Sequence, residues 1–224
     1  MFTKDTFDFL KELKENNNKE WFEANRKRYE TAKKEHLDFV TEMIPAIAKW
    51  DKPIAGVEPK KCVFRINRDI RFSKDKSPYK SNMGAHFSPP SGSKEVMLAG
   101  YYFHLEPGHS MVAGGMWEPF PPQLKAIRQE IDFNLKEFES ILNNKEFKKH
   151  YPTLGGDKLK TKPKGYELEN PAIEYLKHTS FVVSQKFTDK EVMAKDFPEK
   201  CAEAFKALYA FDSFLNRAIG IEVK

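Results

Sequence analysis

The sequence predicts an α+β fold: a mainly antiparallel sheet packed by N-terminal, central and C-terminal helices, in a single domain spanning residues 1–224. Two observations predict it. Apolar residues recur at helical spacing in the first fifty residues and again after residue 120, whereas between residues 61 and 106 the period falls to two. The runs of period two are joined by connections too short for a crossover helix, which makes neighbouring strands antiparallel.

At the N-terminus, Thr3 or Thr6 is placed to cap a short helix that stops at Asn16-Asn17-Asn18. A longer helix follows. Its stripe is Phe22, Tyr29, His36 and Met43 at intervals of seven, filled by Ala32, Phe39, Val40 and Ile47, and Pro45 should kink or end it. His36 on that stripe reads as a packed residue. Residues 51–60, with Pro53, Gly56 and Pro59, form a connector. From Lys61 the alternation predicts a strand with Cys62, Phe64, Ile66, Ile70 and Phe72 on one face and Arg65, Asn67, Asp69 and Arg71 on the other. Arg68 interrupts it, as a bulge would. Further strands are expected at 83–88, 96–106 and 110–113, and Gly114-Gly115 through Pro119 reads as a loop. His86, Tyr102, His104 and Glu106 should share the polar sides of those strands, beside the Arg65–Arg71 row. Pro121-Pro122 opens a helix with Leu124, Ile127 and Ile131, and a second helix carries Leu135, Phe138, Ile141 and Leu142. After an irregular stretch at 152–171, a short helix (172–177), a strand (180–187) and an amphipathic helix (198–219) close the chain.

The 19 Phe supply a core that needs neither disulfide nor metal. Cys62 and Cys201 stand far apart, in no metal-ligand spacing, which fits a reducing, cytoplasmic setting. The apolar positions near the N-terminus are interrupted by charge, so a signal-peptide core is not expected, and no apolar run reaches membrane-spanning length.

The net charge of +5 is local. Lys60, Lys61, Arg65, Arg68, Arg71, Lys74, Lys76 and Lys80 stand against Asp69 and Asp75, a balance of +6 for residues 59–80 that leaves −1 for the rest. Arginines two or three apart suit phosphate or carboxylate because each planar fork donates two parallel hydrogen bonds. The competing structural role is a surface ladder in which Arg65, Asp69 and Arg71 neutralise one another. The stretch Arg65-Ile-Asn-Arg68-Asp69-Ile-Arg71-Phe72, continued by Asp75-Lys76-Ser-Pro78-Tyr79, resembles the signature of an uncharacterised, mainly bacterial family, domain of unknown function 2461. The Gly-Gly-Met-Trp run, Pro163-Lys164-Gly165-Tyr166 and Ser180-Phe181-Val182-Val183 are similar too, so the resemblance covers essentially the whole chain. It implies a shared site around the Arg/Asp segment and brings no activity or cofactor with it.

The leading expectation is binding or turnover of a small anionic, phosphate-bearing ligand in a cleft floored by the Arg65–Arg71 strand. Arg65, Arg68 and Arg71 would hold the anion, Lys76 and Tyr79 would close over it, and Asp69 or His104 would orient groups or move a proton. A nucleic-acid-binding surface is the first alternative, supported by the basic segment and by Lys160, Lys162 and Lys164. A metal-dependent hydrolase using His86, His104 and Glu106 is another, although no metalloenzyme signature occurs and no cofactor is indicated. An interaction module docking an acidic partner is the third. The sequence leaves oligomeric state and the question of enzymatic activity open.

Overall fold

The computed structural model describes residues 1–89 and 97–220. Four strands, β1 (Met83–Phe87), β2 (Gly100–Leu105), β3 (Met111–Met116) and β4 (Phe181–Lys186), lie side by side in chain order and are antiparallel throughout. The period of two sorts their side chains. Ala85, Phe87, Tyr101, Phe103, Leu105, Val112, Met116, Phe181 and Val183 are buried on one face. The opposite face carries cross-strand rows of His86, Tyr102, Ala113 and Ser184, and of Gly84, His104, Met111 and Lys186. Residue 96, where the second strand was expected to start, lies outside the described residues.

Helix α1 (Lys4–Glu15) begins where the spacing predicts, but Thr3 does not cap it with its own side chain. The Glu35 carboxylate does the anchoring, accepting from Thr3 N (3.0 Å), Thr3 Oγ1 (2.9 Å) and Thr6 Oγ1 (2.6 Å). The long helix expected next is broken at Asn25 into α2 (Lys19–Ala24) and α3 (Arg26–Ile47). Asn25 Nδ2 donates to the Trp21 carbonyl at 2.9 Å, closing the first helix with a side-chain bond. Pro45 lies inside the last turn of α3, which ends two residues later at Ile47. A 3-10 turn (Lys52–Gly56) and α4 (Pro59–Cys62) lead to the sheet. Beyond it come α5 (Pro121–Phe133), α6 (Leu135–Asn143), α7 (Lys145–His150), α8 (Ile173–Leu176), α9 (Asp189–Val192) and α10 (Phe197–Ala218). Three short helices were not expected from the sequence, α4, α7 and α9, and the last two are cap-driven: Asn144 accepts from the Glu146 and Phe147 amides, and Thr188 with Glu191 forms a capping box.

Helices α3 and α10 lie against the apolar sheet face, and α1 packs on α3. The core is aromatic at its centre, with Phe103 of β2 centred 4.4 Å from Phe39 and 5.6 Å from Phe2. Each such fully buried ring contributes about 1.5–3 kcal/mol by removing apolar surface from water. Cys62 and Cys201 are both free and buried within the same apolar cluster. Gly114 and Gly115, expected in a loop, are the end of β3. A Cβ on Gly114 would sit 2.4 Å from Leu208 Cδ1, so the missing side chain is what lets α10 lie against the strand.

The expected strand at 61–72 does not form. Lys61 and Cys62 belong to α4, and residues 63–82 fold back on themselves outside β1. Phe64 N donates to the Gly84 carbonyl (2.9 Å), Lys80 N to Ile66 (2.8 Å) and Arg68 N to Pro78 (2.9 Å). The chain thus touches the free edge of β1 once and then pairs with its own return. The apolar half of the alternation is scattered accordingly: Cys62 and Ile66 are buried, whereas Phe72 is 95% exposed. Arg65, Asn67, Asp69 and Arg71 therefore do not form a row over Tyr102, His104 and Glu106. Phe64 is the residue that reaches Tyr102, with ring centroids 6.2 Å apart.

Candidate functional site

The three clustered arginines have different surroundings. Arg68 ion-pairs with Asp75 and donates to the Ser77 carbonyl (3.3 Å) and Ser73 Oγ (3.4 Å), tying the tip of the segment together. Asp75 also accepts from Ser77 Oγ (2.6 Å) and N (2.9 Å), and with Arg68 these bonds hold its carboxyl down at about 2. Arg71 forms a two-point pair with Asp69, Nε to Oδ1 at 2.9 Å and Nη2 to Oδ2 at 2.6 Å. That pair is open to water, Arg71 being 76% exposed, and it lowers the Asp69 pKa. Among the described residues Arg65 has no carboxylate within ion-pair distance.

Arg65 instead lines a groove of about 460 Å³ between α3 and the residues that follow α4. Lys33 of α3, Lys60 of α4, Arg65, Asn67 and Asn82 give it three cations and two amides, and among the described residues no carboxylate lines it. Lys33 has a distant partner in Glu30 (3.6 Å), and Lys60 has none among the described residues. Lys80 stands close enough to sense Arg65: burial first, and then that charge, lower its pKa. Nothing local in the sequence links Lys33 to Arg65, since it is the antiparallel return of the chain past α3 that joins them.

The other expected ligand contacts lie elsewhere. Lys76 Nζ donates to the Ile70 carbonyl at 2.9 Å. Tyr79 is buried, its ring stacked on Phe22 at 3.9 Å, and Asn17 grips its backbone by accepting from its N–H (3.0 Å) and donating to its carbonyl (2.9 Å). Asp69 and His104 are not brought into one hydrogen-bonded unit.

His104 belongs to a chain on the open sheet face. Its Nδ1 lies 2.9 Å from Tyr102 Oη and its Nε2 lies 3.1 Å from Glu106 Oε2, while Lys14 of α1 stands 3.3 Å from Glu106 Oε1. Burial pushes the Glu106 carboxyl up, but the bonds from His104 and Lys14 outweigh it and hold the pKa below the usual carboxylate range. Alternation placed Tyr102, His104 and Glu106 on one side of β2, and the fold turns that into contact. Such a chain is able to pass a proton between a phenol and an imidazole whose far nitrogen is fixed by a carboxylate. His86 does not join it. Its imidazole lines a neighbouring cavity, where burial lowers its pKa. Among the described residues no three His, Cys, Asp or Glu side chains come together as a metal site would require. No helix there is long and apolar enough to cross a membrane.

Fold and site together define an α+β protein whose antiparallel sheet has one helix-covered face, one open face and a basic segment folded against its β1 edge. A family model described as conserved hypothetical protein (DUF2461) matches residues 5–214, and the chain belongs to that family. No curated protein and no solved structure matches it.

Proposed function

We propose that this protein binds a small anionic, phosphate-bearing ligand in the groove between α3 and the basic segment. The observation that carries this is the lining: Lys33, Lys60 and Arg65 face the groove with Asn67 and Asn82, and among the described residues Glu30, 3.6 Å from Lys33, is the only carboxylate within ion-pair distance of the three cations. Cations gathered in a concave site attract an anion, and Lys33, Lys60 and Arg65 do so from exposed positions where water can be exchanged for phosphate oxygens. Arg65 supplies the fork that grips two phosphate oxygens, Lys33 and Lys60 act as point charges, and the amides donate the remaining hydrogen bonds. In this proposal Arg68 keeps the segment folded. Arg71 is an exchangeable reserve, since an exposed ion pair contributes little and yields readily to a second anion.

Titration calorimetry with inorganic pyrophosphate tests the proposal. Wild type should bind saturably, and Arg65→Ala should weaken binding about 10- to 100-fold, the worth of a charge-assisted contact. Arg71→Ala should weaken it less. Equal affinity in wild type and Arg65→Ala, or no saturable binding at all, would sink the idea.

A further inference from the structure

The cavity on the open sheet face is lined by different residues from the basic groove, apart from Phe64 at the edge, and its chemistry is different. It measures about 610 Å³, within the range of small-molecule sites. Its floor is Ala113 and Gly115 of β3 with Val182 of β4, and its walls include Phe64, Tyr102 and Trp117. Among the described residues no Lys, Arg, Asp or Glu lines it, and the side-chain polar groups it presents are those of His86, Tyr102, Ser184 and the Trp117 indole. An anion finds nothing there to neutralise it. Flat apolar surface with aromatic edges suits an uncharged ring. Two small residues make the room: Ala113 stands directly opposite Tyr102, and a Cβ on Gly84 would lie 3.0 Å from Tyr102 Oη, so glycine there lets the phenol lie across β1.

The hydrogen-bond chain behind Tyr102 fixes what the cavity asks of a ligand. Glu106 is an ionised acceptor, so the proton between it and His104 resides on His104 Nε2. In the neutral imidazole with its proton on Nε2, Nδ1 carries the lone pair and accepts from the Tyr102 hydroxyl at 2.9 Å. With its one proton committed inward, Tyr102 Oη has only acceptor capacity left for the cavity. We propose that the open face of the sheet binds a small, uncharged, largely apolar aromatic molecule bearing a hydroxyl or N–H donor, and that this donor is recognised by Tyr102 Oη. The site stands independently of the anion groove.

The test compares 2-naphthol with 2-methoxynaphthalene, two probes of matched ring and different donor capacity, by titration against the full chain. Naphthol should bind saturably and about tenfold more tightly than the ether, as expected for one partly buried hydrogen bond. Tyr102→Phe should make the two probes equal. Ala113→Trp, which places an indole in the cavity, should abolish binding of both, and Ser184→Phe provides a second filling variant on the adjacent strand. Pyrophosphate binding at the groove should be unchanged in every variant, which separates failure of this site from failure of the other. Absence of saturable naphthol binding, equal affinity of the two probes for wild type, or binding that survives both filling variants would overturn the proposal.

Discussion

Arg68 uses its guanidinium on Asp75, on the Ser77 carbonyl and on Ser73 Oγ, all within the segment that contains it. Its role is separable from that of Arg65 by an experiment that does not depend on any ligand. Removing Arg68 leaves the Arg68 N to Pro78 and Lys80 N to Ile66 backbone bonds without their cross-brace. Arg68→Ala should therefore speed amide hydrogen exchange across residues 66–80 by about tenfold, corresponding to one charge-assisted bond. Arg65→Ala should leave exchange in that stretch unchanged while weakening pyrophosphate binding. If Arg65→Ala loosens the segment as much as Arg68→Ala does, Arg65 is a structural residue and the groove loses its principal contact. The density of arginines was plain in the sequence. Their division of labour was not, because it depends on which of them lies within reach of Asp69, Asp75 or α3 after the chain has turned back.

Strands β1, β2 and β4 were legible because each alternates over a stretch with one face in the core, and a one-residue shift would turn every apolar side chain to the wrong side. The same pattern misled at 61–72, where alternation exists without a sheet position to use it: the edge of β1 accepts Phe64 and the chain then pairs with itself. Among helices, the long amphipathic ones announced themselves through the 3.6-residue period, whereas α7 and α9 are too short to show one and are specified by their caps. The end of β3 was hidden for a different reason. Gly114-Gly115 has the composition of a turn, but the glycines serve close approach inside a strand. Gly115 has a φ of 102°, and a Cβ there would fall 2.0 Å from the Phe181 carbonyl oxygen of the neighbouring strand. Gly115→Ala should consequently destabilise the fold by about 1–3 kcal/mol through backbone strain, with a further loss from displacing β4. Urea denaturation reads this directly. A midpoint equal to wild type would mean that the β3–β4 pair tolerates a side chain where the geometry leaves no room.

Across the whole molecule, two buried groups set opposing pH dependences. His36 of α3 lies among Phe2 and Phe103 with no hydrogen-bond partner for Nε2, and burial lowers its pKa from 6.5 to about 4. It is neutral in the fold where the unfolded chain carries a proton, so its contribution is complete above pH 6.5 and is lost as pH falls towards 4. Asp212 of α10 is the reverse. Neither of its oxygens has a close hydrogen-bond partner among the described residues, and burial, opposed by the Gly115 backbone and reinforced by the nearby Asp51 charge, raises its pKa well above 3.8. The fold keeps that proton while the unfolded chain releases it, so the Asp212 contribution is complete below 3.8 and is lost as pH rises through the folded value. Above pH 4 the two slopes have opposite sign, so they offset one another until pH reaches the folded value of Asp212 or passes 6.5. Single substitutions uncover them. Relative to wild type, the stability of Asp212→Asn should climb as pH rises from 4 towards the folded Asp212 value, and that of His36→Leu should fall by about 1.4 kcal/mol per unit between pH 4 and 6.5. Chemical denaturation at half-unit intervals of pH measures both. Difference profiles that are flat, or that share one sign, would show that these side chains titrate in the fold as they do in water, and that the aromatic core around them admits solvent.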